Sequence, residues 1–292
     1  GAGDAQQGAG ASITFSDAVV LAGGAAKIDT DATVGDITFK STVDSEDDGA
    51  GASAQRALTL TAGTGNIDFD GVVGGADKGE LGAITIESAK NVTADFAVSA
   101  ASLRQKDGSD TTTFTGALTT TGAAGIEVDG TNFDFNDTVS LTLGDFGLDS
   151  TGTVRFNGKV TTSDVASGLV TISNGDLLTI TSTGDMELQG AFLQDGQGLV
   201  STAGNITTAD ENVTFNSAVT LTDDVLMTTG TAAGSLGDIT FKNTVNATTR
   251  GGQSLTLTAG DGSILFNGQV GNGQELGTIQ ATAQTINING GT

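Results

Sequence analysis

The sequence predicts an all-β chain, a parallel β-solenoid of about a dozen coils. Three observations carry this expectation. The phrase Gly35-Asp36-Ile37-Thr38-Phe39-Lys40 returns as Gly237-Asp238-Ile239-Thr240-Phe241-Lys242, and each copy is followed by a second shared phrase, Leu58-Thr59-Leu60-Thr61-Ala62-Gly63 and Leu255-Thr256-Leu257-Thr258-Ala259-Gly260. Apolar residues alternate with single, mostly polar residues along the whole chain. Proline is absent from all 292 residues, which fits a chain whose segments are paired on both sides and whose N–H groups are all needed.

The alternating elements run in order. They are Ile13/Phe15, Ile37/Phe39, Leu58/Leu60, Ile67/Phe69, Ile84/Ile86, Ile126/Val128, Phe133/Phe135, Leu141/Leu143, Val154/Phe156, Val213/Phe215, Val219/Leu221, Ile264/Phe266 and Ile286/Ile288. A period of two marks a strand with one face turned inward. The reading therefore places Phe39, Phe69, Phe156, Phe215, Phe241 and Phe266 inside, and Thr38, Asp68, Arg155, Thr214, Thr240 and Leu265 outside. Related Phe positions recur every 20 to 30 residues or so, room for two or three short strands and their corners. Stretches such as 44–51 vary between copies and belong to corners. Asp70-Gly71, Asn157-Gly158 and Asn267-Gly268 follow a strand-ending Phe and read as left-handed corners. The same dipeptides also mark hairpins, so a string of antiparallel sandwiches is the alternative. The short period and the missing Pro, Trp and Tyr speak against it. The expected organisation is a Gly-rich segment over 1–12 and one solenoid domain over 13–292.

Composition narrows the function. Apolar residues are 37 % of the chain and all of its aromatics are Phe, which suits a thin aliphatic core. Eleven Lys and Arg against 35 Asp and Glu leave a formal charge of −24, which repels nucleic acid and anionic lipid. No apolar run is long enough to span a membrane. With no His and no Cys, the commonest general bases, thiol nucleophiles and soft metal ligands are missing, and no enzymatic activity is expected. The carboxylate pairs Asp29/Asp31, Asp47/Asp48, Asp134/Asp137 and Asp223/Asp224 are the candidates for acid-base work, with a solvated acidic face as the plainer reading. The start, Gly1-Ala2-Gly3-Asp4, is read as the result of processing or of excision from a longer polypeptide.

The Gly-Asp-Ile-Thr-Phe and Ser/Ala-Leu-Thr-Leu-Thr-Ala-Gly phrases, at 35–39, 57–63, 237–241 and 254–260, resemble the β-helical repeats of large bacterial exoproteins. These are the filamentous-haemagglutinin-like adhesins and the autotransporter passengers. The resemblance implies a right-handed parallel β-helix, secreted or displayed on a bacterial surface.

Two sets of residues are singled out. Asp44, Glu46, Asp47 and Asp48 crowd hard oxygen ligands into one short loop, a candidate for calcium, which is the only cofactor considered. Ile13 and Phe15 near the start and Ile286 and Ile288 near the end continue the alternation with no capping pattern outside them, so they are the candidate self-assembly residues. The function expected is a structural subunit of an extracellular filament or surface matrix, joined head to tail with copies of itself. The alternative is a segment of a monomeric surface adhesin or autotransporter passenger that binds a glycan or a host or cell surface. Sequons at Asn91, Asn136, Asn205, Asn212 and Asn246 are noted as candidate glycosylation sites.

Overall fold

A computed structural model describes residues 5–6, 10–31, 34–49, 52–75, 77, 79–230, 234 and 236–290. The chain forms two compact units, Gly1–Asp145 and Phe146–Thr292. Each is all-β, with no helix among the described residues, and each is a stack of parallel coils. Together the coils number about a dozen.

In the first unit every coil contributes to three ladders. One runs through Ala5–Gln6, Ala26–Asp29, Leu58–Thr61, Leu81–Ser88, the latter part of Val98–Gln105 and Ile126–Gly130. A second runs through Ile13–Phe15, Ile37–Phe39, Ile67–Phe69, Val92–Ala94, Thr111–Phe114 and Asn132–Phe135. The third runs through Val19–Leu21, Val43–Ser45, Val73, the first part of Val98–Gln105, Leu118–Thr120 and Val139–Leu141. Residues 5–6, within the segment expected to precede the solenoid, thus pair with Ile28 and Asp29.

The second unit repeats the plan. Phe146–Ser150, Val170–Asn174, Phe192–Gln194, Val213–Phe215, Ile239–Phe241, Ser263–Phe266 and Thr285–Ile288 form one ladder. Val154–Phe156, Leu178–Ile180, Val200–Thr202, Val219–Leu221 and Val245–Ala247 form another. Val160–Thr162, Met186–Leu188, Ile206–Thr208, Val225–Thr228, Leu255–Thr258 and Ile279–Thr282 form the last. All these pairings are parallel, so the sandwich alternative is excluded. Among the described residues one antiparallel bridge occurs, joining Asp47 to Ser53 across a corner loop.

In-register stacking decides what fills the core. Coils sit about 4.8 Å apart, so like side chains at equivalent positions touch their own kind. Phe15, Phe39 and Phe69 stack with ring centroids 5.0 and 5.1 Å apart. Phe215, Phe241 and Phe266 do the same at 5.5 and 5.2 Å. Parallel rings at this separation are offset, the arrangement the ring quadrupole favours. The six Phe expected inside are all buried, and Thr38, Asp68, Arg155, Thr214, Thr240 and Leu265 face outward. Ala94 interrupts the first Phe column, as it is the register partner of both Phe69 and Phe114.

The repeated phrase has a stacking role at nearly every position. Gly35 and Gly237 have no room for a Cβ, which would lie 2.7 Å from the Cβ of Thr30 in one copy and 2.9 Å from that of Thr229 in the other. Those two buried threonines donate to the Gly35 and Gly237 carbonyls at 2.6 and 2.5 Å. Asp36 accepts the N–H of Asn66 from the next coil at 2.8 Å, and Asp238 accepts that of Ser263 at 2.7 Å. Ile and Phe fill the core, and Thr faces water. The last glycine of the second phrase takes the left-handed conformation, with φ of 56° at Gly63 and 52° at Gly260.

The Asp-Gly and Asn-Gly corners differ from the expectation. Gly71, Gly158 and Gly268 are not among the residues with positive φ. At Gly71 and Gly268 glycine is needed because a Cβ would overlap the backbone of the coil beneath, at Ser41 and Asn243. The constraint is close approach between coils, not the turn itself.

The Phe column should dominate stability. Phe241→Ala, which empties the middle of a three-ring stack, is expected to lower the unfolding free energy by about 3–5 kcal/mol. Thr240→Val, one residue away but outward, should change it by less than about 0.5 kcal/mol. Urea unfolding of the two variants checks the contrast.

Candidate functional site

The acidic loop is held together by its own carboxylates. Glu46 Oε1 accepts the Gly23 N–H at 2.8 Å and lies 2.8 Å from Nε and 2.5 Å from Nη2 of Arg56. The Gly23 N–H first, and then the Arg56 guanidinium, hold the Glu46 carboxyl below the usual range. Asp47 Oδ1 accepts the Gly49 N–H at 2.8 Å, Asp48 Oδ1 accepts that of Ala52 at 3.1 Å, and Asp44 lies half-buried in mid-strand. Glu46, Asp47 and Asp48 thus serve different partners. Among the described residues no three acidic side chains converge as a metal-holding group.

The paired aspartates behave alike. Asp29 accepts the Asp31 N–H at 2.8 Å and pairs with Lys27 at 3.0 Å, and Lys27 is the main cause of its lowered pKa. Asp137 accepts the Thr138 N–H, and Asp223 that of Asp224. Asp224 reaches the next coil, accepting the Ser254 N–H at 2.7 Å. Except for the Asp224 contact, these are local side-chain caps on corner N–H groups. Four sequon asparagines serve the stack in the same way. Asn91, Asn205, Asn212 and Asn246 accept N–H groups from Thr111, Leu226, Asp238 and Gly273.

An acidic patch lies on the second ladder of the first unit. Burial pushes the Asp68 carboxyl up from its ordinary value of 3.8, and the neighbouring carboxylates of Asp70, Asp36 and Asp95 add to the effect, against Lys40. Lys40 is itself paired with Asp70.

The terminal coil is the most distinctive surface. Thr285–Ile288 pairs with Ser263–Phe266, setting Ile286 on Ile264 and Ile288 on Phe266. Ile264 and Phe266 are buried, whereas Ile286 is 44 % exposed and Ile288 57 %. Both lie on columns that are core one coil earlier. Ile279, at 46 % exposure and set on Leu255, belongs to the same surface. The Ile279/Ala281 alternation was its sequence signal. Among the described residues neither strand has a partner on its other edge. At the other end of the sequence, Ile13 is buried and Phe15 half-buried, its ring on Phe39. Strand Ile13–Phe15 pairs there with Ile37–Phe39 alone among the described residues. Residues 5–16 and 276–292 contain no charged side chain, although the chain as a whole carries −24.

No family model, characterised protein or solved structure matches the chain.

The raised pKa of Asp68 gives a pH test. At neutral pH the group is ionised whether folded or unfolded, and the folded state bears the cost of its burial and its acidic neighbours. Asp68→Asn should therefore raise the melting temperature at pH 7. The gain should shrink as pH falls through the raised folded value and vanish below the ordinary value of about 3.8, where both states are protonated. Melting curves across that range check the sign.

Proposed function

We propose that this chain is a structural β-solenoid, a subunit of a filament or matrix outside a bacterial cell. Its copies join end to end, the Ile279–Ile288 coil of one receiving the Ile13–Phe15 coil of the next. The observation that carries the reading is the terminal coil. It sets Ile286 and Ile288 on buried columns, and among the described residues its strand has no partner on the other edge.

Physical chemistry favours this joint over other contacts. Fully covering an Ile side chain contributes about 1.5–3 kcal/mol, and a free strand edge is a ready template for a second chain. The strongly acidic chain repels copies approaching side by side. Residues 5–16 and 276–292 carry no charged side chain, so the strands Ile13–Phe15, Ile279–Thr282 and Thr285–Ile288 can meet without burying one of their own. Placement at a bacterial surface is supported by the resemblance of the repeated phrases to those of bacterial exoproteins.

Ile286→Lys with Ile288→Lys places two ammonium groups in the joint. The variant should stay folded by circular dichroism and remain monomeric by light scattering, while the unaltered chain grows thin fibres in negative stain. A variant that polymerises normally, or an unaltered chain that stays monomeric at high concentration, overturns the joint. The second outcome would assign the open edge to another occupant, such as a further coil of a longer polypeptide.

A further inference from the structure

The Phe146–Thr292 unit carries a groove remote from its terminal coil. It has a volume of about 410 Å³ and is lined by Thr161, Ser163, Glu187, Gln189 and Thr207, among others. An adjoining depression of about 240 Å³, lined in part by Val165, Leu169 and Ala191, shares Gln189 with it. Thr161 is the register partner of Glu187, and Glu187 that of Thr207. The groove therefore presents one polar side chain per coil, at the strand spacing of about 4.8 Å.

Its polar groups fall into two sets. Thr162 and Thr208 are buried and committed to the fold. Thr162 Oγ1 donates to the Gly168 carbonyl at 3.0 Å and accepts the Gln189 N–H at 2.9 Å, and Thr208 donates to the Glu211 carbonyl. By contrast, the hydroxyls of Thr161, Ser163 and Thr207 and the side-chain amide of Gln189 have no hydrogen-bond partner among the described residues. They are open to solvent or to a ligand. Glu187 is paired with Lys159 at 2.6 Å, which offsets its charge in the groove, and Glu211 lines the adjoining depression. The aliphatic side chains of Val165, 88 % exposed, and Leu169 line the adjoining depression, which meets the groove at Gln189.

We propose that this groove binds a neutral oligosaccharide laid along the stacking direction of the coils. An extended chain of β-linked pyranoses repeats at nearly the coil spacing, so successive sugars meet Thr161, Glu187 and Thr207 in turn. Their hydroxyls can both donate to and accept from the Thr, Ser and Gln side chains. Their C–H faces rest on Val165 and Leu169. The acidic surroundings exclude polyanionic glycans. With no Trp or Tyr to stack on, affinity in the millimolar range is expected, about 1 mM. This site is independent of the end-to-end joint.

Titration with cellohexaose and xylohexaose, followed by amide chemical shifts, tests the groove. Saturable binding by either sugar, with shifts confined to 161–169, 187–191 and 207–211 and unchanged in high salt, is the expected result. The variant Thr161→Val, Gln189→Ala, Thr207→Val should weaken it about tenfold or more at an unchanged melting temperature. Should that variant fail to fold, Gln189→Ala alone supplies the measurement, since its backbone N–H still reaches Thr162. No saturation by about 20 mM sugar, shifts elsewhere, tighter binding of a hexauronate, or affinity untouched by the substitutions overturns the proposal.

Discussion

Register between coils is the constraint on which the rest of this structure depends. Each strand is only a few residues long and satisfies its backbone N–H and C=O groups on the coils above and below. No coil has a core of its own. A residue is therefore chosen less for its neighbours along the chain than for the residue at the same position one coil away. Phe39 between Phe15 and Phe69 shows the rule, as does Phe241 between Phe215 and Phe266. Proline, which would remove one bond from a ladder, has no place in such a chain.

The same vertical logic governs the polar residues. Asp36, Asn66 and Asn91 form a chain of contacts from coil to coil, Asp36 accepting the Asn66 N–H and the Asn91 amide donating to Asn66 at 2.9 Å. Arg104 pairs with Glu127 and Lys106 with Glu87 across neighbouring coils. Exposed pairs of this kind contribute little individually. They place the few basic residues where they offset acids on the next coil. Asp68 shows the opposite case, an acid surrounded by acids that the register forces together.

A stack built this way leaves two kinds of surface for function. The sides repeat at the coil spacing, so the groove presents one polar side chain per coil, at Thr161, Glu187 and Thr207. The end coil differs in kind. Its side chains continue core columns and its backbone continues a ladder, with Ile286 set on Ile264 and Ile288 on Phe266. Residues 276–292 carry no charged side chain in an otherwise acidic chain.

Much of this was legible locally. The period-two pattern fixes which side chains face inward, because successive residues of a strand point to opposite faces whatever the strand pairs with. That is why the six Phe and their outward neighbours could be assigned from sequence, and why Ile286 and Ile288 stood out. What tertiary structure alone decided is which groups from different coils lie side by side. It gave Gly71 and Gly268 their reason, the backbone of Ser41 and Asn243 beneath them, where the dipeptides had pointed to left-handed turns. It turned Glu46 toward Arg56 and Gly23 and assigned Asp47 and Asp48 to turn N–H groups. It set Thr161, Glu187 and Thr207 in one line from three distant stretches of chain. Alternation is local, but register joins residues 20 to 30 positions apart through corners of varying length, and no single strand carries that information.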